Sequence, residues 1–221
     1  DEGLVGSEMC IRDSSNTLDW SMRLIFLISI PAVIGLVMLA EPIILTLFER
    51  GAFNSYDSLQ ASYSLIALAS GLVAFMLIKI LTPSFFARQE PKIPMYVALI
   101  SMVLNAILAW LLGFNLGYGH IGLALASSIS AFFTAITLLF LLKREKIYES
   151  TEGWIIFWIR LSVASIILIL FLGYFSEEVS DLRRLTNFER TVYILKMVIL
   201  GMGLYLLALR LTGLKIKDFI N

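Results

Sequence analysis

The sequence contains one cysteine and one histidine in 221 residues. Cys10 alone closes no internal disulfide and builds no cysteine-based metal site, and His120 alone cannot build a zinc site. Charge is scarce and balanced: 17 Lys and Arg against 17 Asp and Glu, 15% charged in all, with a formal net charge of zero. That leaves no basic footprint for nucleic acid and no polybasic membrane anchor. A membrane enzyme acting on lipid-linked sugars would need paired carboxylates, an Asp-rich metal motif, or a nucleophile beside a base near one membrane face. The sequence offers none of these. Its acidic group Glu177, Glu178 and Asp181 falls in a polar loop without a histidine and reads as a solvated segment. No cofactor is implied.

What the chain has instead is apolar residue. Hydrophobic residues make up 59% and mean hydropathy is +0.87, which a soluble domain of this size could not cover with polar surface. Six apolar stretches, at 24–48, 63–86, 93–114, 121–142, 154–175 and 192–211, are each about long enough to cross a bilayer. Lipid offers no partner to backbone N–H and C=O groups, and runs this continuous lack the alternation of barrel strands, so all six are predicted to be helices. The expected class is all-α, a polytopic membrane protein.

Lys and Arg set the expected orientation, because loops rich in them stay in the cytoplasm. One side carries Arg23, Arg88, Lys92, Lys143, Arg144, Lys146, Arg210, Lys215 and Lys217; the other carries only Arg50, Arg183, Arg184 and Arg190. Both ends are therefore predicted cytoplasmic. Residues 1–14 are polar and without a capping or periodic signal, and read as a non-native or disordered head. Residues 15–148 hold four of the stretches and 149–221 the last two with a polar tail.

Four polar positions stand out within this apolar frame. Lys79 lies inside the second stretch, where an unpaired charge costs several kcal/mol. It either faces a polar cavity or snorkels toward the near interface, about 10 Å away along the helix. Glu41 precedes Pro42, which should kink the first helix, and is either a proton- or cation-sensing carboxylate or a solvated residue near the outer surface. Arg88, in a charged loop with Gln89, Glu90 and Lys92 that Pro91 and Pro94 stiffen, is a gating or lobe-contact candidate or a topogenic charge. Asn105 shares a helix face with Ser101; the pair could ligate a cation or hydrogen-bond neighbouring helices, but Ala109 one turn on supplies no carboxylate. The small residues Gly122, Ala124, Ala126, Ser127 and Ser128 are expected to allow close helix approach, Gly201 and Gly203 to pack or to form a groove, and Lys196 and Arg160 to snorkel.

Local motifs add a family. Arg23-Leu24, Ile30-Pro31-Ala32-Val33-Ile34-Gly35-Leu36, Ala40-Glu41-Pro42-Ile43 and Leu47-Phe48-Glu49-Arg50-Gly51-Ala52-Phe53 resemble, in order and spacing, the MurJ (MviN) lipid II flippases. The likeness continues through Gly71-Leu72-Val73-Ala74-Phe75, Lys79-Ile80-Leu81, Phe85-Phe86-Ala87-Arg88-Gln89, Lys92-Ile93-Pro94, His120 to Ser128, and Gly213 to Phe219. The resemblance implies the last six helices of a longer two-lobed fold: most of the second lobe at 15–148, then two helices that form a groove for a polyprenyl tail. It implies a bacterial inner-membrane transporter moving lipid II across the bilayer by alternating access, with membrane lipid around it and an N-terminal lobe of the same protein as partner. The family's cavity arginines come largely from that first lobe, so no position here inherits them. Lys79, Arg88, Glu41 and Asn105 remain as candidates for substrate binding or gating. The alternatives are another polysaccharide-lipid or drug exporter of the same superfamily, or a membrane scaffold, for which an intramembrane Lys79 and Glu41 would be expensive features.

Overall fold

The computed structural model describes the backbone of residues 2–49, 53–145, 147–148, 151–176 and 179–213, and the side chains of these except 2–14, 179 and 180. Every regular element among the described residues is helical: α1 (Glu2–Met38), α2 (Ala40–Phe48), α3 (Ser55–Ser70), α4 (Leu72–Phe86), α5 (Lys92–Ala109) running into a π-helical turn (Trp110–Asn115), α6 (Gly119–Arg144), α7 (Trp154–Phe175), the short α8 (Val179–Leu182) and α9 (Asn187–Leu211). Six segments, Ser15–Met38, Ser55–Phe86, Lys92–Asn115, Gly119–Arg144, Trp154–Phe175 and Asn187–Leu211, are long and apolar enough to cross a membrane. α1 continues back to Glu2, through the segment read as a non-native or disordered head, whose side chains lie outside the described residues. So do Arg50, Lys146, Lys215, Lys217, Glu177 and Glu178.

Two helix starts differ from expectation, and each has a local cause. The second span begins at Ser55 rather than near residue 63, because Asn54 accepts from the Tyr56 and Asp57 amides while Asp57 accepts from the Asn54 amide. The sixth begins at Asn187 rather than near 192, because Thr186 and Glu189 form the same reciprocal box. Such a box lets a polar sequence open a helix that hydropathy alone misses.

Two spans are broken. The kink expected near Pro42 lies at Leu39, between α1 and α2, since Pro42 donates no amide and its ring crowds the carbonyl of Met38. The second span breaks at Gly71. There the Gly71 amide turns to the Leu68 carbonyl (3.1 Å), and the Ala67 carbonyl is met instead by the hydroxyls of Ser128 on α6 (2.6 Å) and Ser70 (2.7 Å). α4 ends in a Schellman turn: the Glu90 amide donates to Phe85 (3.1 Å) and the Gln89 amide to Phe86 (3.0 Å), with Gln89 at φ +59°, where glycine is usual.

α6 is the central helix, packed on α3, α4 and α5. Its small residues work as expected, with Ala126 and Ser128 buried and Gly122 in contact with the backbone of Leu112. Of the two glycines of α9 expected to pack or to form a groove, Gly201 lies against Leu168 of α7, but Gly203 faces open space. α7 and α9 form a pair laid against α1, around Leu161, Ala164, Leu168 and Tyr205.

A Cβ at Gly122 would lie 2.6 Å from the Leu112 carbonyl carbon and oxygen, and one at Gly71 would lie 2.6–2.8 Å from Ser128, whereas one at Gly203 would meet nothing within 4 Å. Gly122→Ala and Gly71→Ala should therefore destabilise the protein by about 1–3 kcal/mol, and Gly203→Ala should not. Thermal unfolding midpoints in detergent check this, and equal midpoints for all three would refute it.

Candidate functional site

The four candidate residues occupy separate positions. Lys79 is exposed on α4, seven residues before its last residue Phe86, and makes no hydrogen bond or ion pair among the described residues. Glu41 is half-buried in the first turn of α2, where the helix dipole favours a carboxylate. Arg88 is exposed in the turn that closes α4. Asn105 is half-buried on α5, and Ser101 does not join it: the Ser101 hydroxyl donates to the Ser130 carbonyl (3.0 Å) and accepts from Thr134 (2.7 Å). Ser101 thus ties α5 to α6, the packing alternative of the two considered. No hydrogen bond or ion pair links any two of Lys79, Glu41, Arg88 and Asn105 among the described residues.

Two other polar positions have specific partners. The Arg160 guanidinium donates to the Gly213 carbonyl (3.1 Å) just past the end of α9, so it caps that helix from α7. On the opposite side, Glu49 accepts from Ser58 (2.9 Å) and pairs with Arg183 (3.4 Å), while Arg190 donates to the carbonyls of Leu182 and Arg183. These bonds tie α2, α3, α8 and the start of α9 together.

Sequence reasoning missed the densest polar cluster among the described residues. Asp19, 3% exposed on α1, accepts from Tyr148 (2.6 Å) and Trp154 Nε1 (2.8 Å) on one carboxylate oxygen, and from Arg23 Nε (2.9 Å) and Thr151 on the other. Arg23 also donates to Thr151 (2.7 Å) and to the Glu152 carbonyl (3.0 Å), with its guanidinium 5.0 Å from the centre of the Trp154 ring. The cluster fastens α1 to the connection before α7 and to α7's first residue. Burial and the hydrogen bond to Asp19 push the Tyr148 phenol well above its ordinary value. Only the Asp19 to Arg23 spacing of four residues was a signal; Tyr148, Thr151 and Trp154 lie more than a hundred residues away.

An apolar groove of about 370 Å³ opens between α1, α2, α7 and α9, lined by Pro31, Gly35, Leu39, Leu172, Met197 and Gly201 among others. At its near end the Tyr205 hydroxyl, on a ring buried to 1% exposure, donates to the Leu27 carbonyl (2.9 Å). That carbonyl is the one Pro31, four residues on, cannot serve.

Raising pH should expose the coupling of Tyr148. Its folded pKa lies above its unfolded value, so the stability it contributes is complete below the ordinary phenol range, near 10, and falls as pH rises above it. Tyr148→Phe should remove that alkaline loss and cost about 1–3 kcal/mol at neutral pH by leaving Asp19 short of a donor. Unfolding midpoints of both proteins across alkaline pH check this.

With this geometry in hand, known proteins offer a direct comparison. The family model described as "Lipid II flippase MurJ" matches residues 11–208. A probable lipid II flippase MurJ of Vibrio cholerae is 37% identical over 208 residues, covering 92% of this chain and 38% of that protein. One of Haemophilus influenzae is 36% identical over 206 residues, covering 92% and 39%. A solved structure, "Lipid II flippase MurJ, inward closed conformation", superposes with a TM-score of 0.76 at 27% identity, covering 95% of this chain and 41% of that one. The chain thus spans about two fifths of the length of the relatives it matches. A family match over most of the chain and a shared six-span helical architecture agree: this chain belongs to the lipid II flippase MurJ family.

Proposed function

We propose that the chain is the C-terminal part of a lipid II flippase of the bacterial inner membrane, both its ends cytoplasmic, working with an N-terminal lobe of the same protein. The diphosphate-linked head group would cross through a polar cavity between the lobes by alternating access, while the polyprenyl tail stays in the apolar surroundings of α7 and α9. The observation that carries this reading, once the family is known, is Lys79. It is an exposed cation in the second span without a carboxylate partner among the described residues, and an ammonium there needs an anion, a watery cavity or the near interface. A diphosphate supplies the anion. Arg88 would contact the other lobe at the cytoplasmic end. Glu41, beside the Leu39 break, and Asn105, without a hydrogen-bond partner on α5 among the described residues, would respond to the moving head group or a coupled ion.

In the full-length protein, Lys79→Ala should lower lipid II translocation about tenfold, equivalent to about 1.4 kcal/mol, with Lys79→Arg retaining most of it. Arg88→Ala should have a smaller effect. Translocation into vesicles at matched protein levels is the measurement; unchanged flux in Lys79→Ala would overturn the cavity role.

A further inference from the structure

We infer that the basin between the start of α3 and the α5–α6 connection is a carbohydrate-binding site, which takes the neutral sugar portion of the head group at the outer face of the membrane. The inference rests on the reading of this chain as part of a lipid-linked sugar carrier and adds to it a site at the opposite end of the second span from Lys79.

The basin has a volume of about 790 Å³, within the range of small-molecule sites. One wall runs from Phe53 to Ser64 at the start of α3, and the other is the connection Gly117-Tyr118-Gly119-His120. The Asn54 and Asp57 box fixes where α3 begins, and packing of α6 on α3 brings the connection alongside. Gly117 at φ +75° and Gly119 at φ +54° lie in the left-handed region, and a Cβ on either would meet nothing within 4 Å. Glycine is thus required there by backbone shape and not by lack of room, and that shape holds Tyr118 beside the basin. The α2–α3 and α5–α6 connections share the end of the bundle opposite Asp19 and Arg88, which is the end predicted to face outward.

Tyr56 and Tyr118, 68% and 55% exposed, offer one aromatic ring from each wall. Asp57, Gln60 and Ser64 join them half-buried, and His120 exposed. The Gln60 side-chain amide donates to the Tyr56 hydroxyl (3.1 Å), which steadies that ring and leaves Gln60 Oε1, one amide hydrogen and the Tyr56 proton for a ligand. The Tyr118 hydroxyl and the His120 ring make no hydrogen bond among the described residues.

These groups select the ligand class. No Lys or Arg among the described residues lines the basin, so a phosphate or carboxylate finds no counter-ion. Asp57, the one carboxylate among the described lining residues, already accepts from the Asn54 amide (3.1 Å), which leaves a cation too few ligands. An apolar chain would strip water from Asp57, Gln60 and His120 and return no hydrogen bond. A pyranose meets all three conditions. Its C–H faces lie well against aromatic rings, whose faces carry partial negative charge, and its hydroxyls both donate and accept, matching amide, phenol and imidazole. Two rings, one on each wall, suit two linked sugars.

The test uses the full-length protein in phosphatidylcholine nanodiscs, free of sugar-based detergent, titrated with di-N-acetylchitobiose, a neutral disaccharide of N-acetylglucosamine, and followed by saturation-transfer NMR. The wild type should bind it. Tyr118→Ala and Tyr56→Ala should each weaken binding about fivefold, Tyr118→Phe should retain most of it because the ring remains, and Gly203→Ala on α9 should not change it. Both tyrosines are exposed, so unfolding midpoints of these variants should match the wild type. Where an alanine variant does not accumulate, Gln60→Leu, which removes the amide that meets hydroxyls and steadies Tyr56, should weaken binding in the same direction. Binding that none of Tyr118→Ala, Tyr56→Ala and Gln60→Leu alters would place the sugar elsewhere and overturn the basin as its site. No binding of the disaccharide to the wild type, or binding there of the neutral peptide N-acetyl-trialanine amide in its stead, would overturn the carbohydrate assignment. Neither result touches the carrier reading, which is judged by translocation of lipid II.

Discussion

Inside a bilayer no water is available to complete a hydrogen bond, so each interruption of a helix or buried charge must find its partner within the protein. This constraint accounts for most of the specific contacts among the described residues. Pro31 frees the Leu27 carbonyl, and Tyr205 comes across from α9 to meet it. The break at Gly71 frees the Ala67 carbonyl, and Ser128 comes across from α6. Asp19 takes four donors. In each case the satisfying group belongs to a neighbouring segment or includes one, so repairing a local defect also fixes how two helices sit.

The same logic divides the molecule. Around α6, small residues let backbones approach, and hydroxyls of Ser101, Ser128, Ser130 and Thr134 bond carbonyls or each other. Packing there is continuous and apolar clusters reach from α4 to α6. The α7–α9 pair packs on α1 and α2 through a separate apolar cluster around Leu39, Leu161, Leu168 and Tyr205, with polar ties at Asp19 and Leu27 and an apolar groove beside it.

Much of the architecture was legible in the sequence because hydropathy responds to the bilayer directly. The fifth span, 154–175, begins and ends where the apolar run does, since both of its ends are set by loss of hydrophobicity. The second and sixth spans start eight and five residues early, where Asn54 with Asp57 and Thr186 with Glu189 nucleate helix in polar sequence. Those boxes are readable motifs, obscured by reliance on hydropathy. Gly203 illustrates the opposite error, for a glycine two residues from the packed Gly201 is on another face of the helix and meets nothing. The candidates Lys79, Glu41, Arg88 and Asn105 were found because charge or amide in an apolar run is conspicuous. Asp19 was passed over because it lies just ahead of the apolar run, where a carboxylate looks ordinary.

The sequence by itself determined that the chain is helical, holds six segments long and apolar enough to cross a membrane, and belongs to the lipid II flippase MurJ family, because hydropathy and local motifs are properties of contiguous residues. Only the tertiary structure decided that Asp19 meets Tyr148, Thr151 and Trp154, that Ser101 serves α6 rather than Asn105, and that Pro31 opens a carbonyl for Tyr205. Such pairings join residues far apart in the chain, and nothing in the spacing of either partner encodes the other; they arise when helices pack and their unmet polar groups find one another.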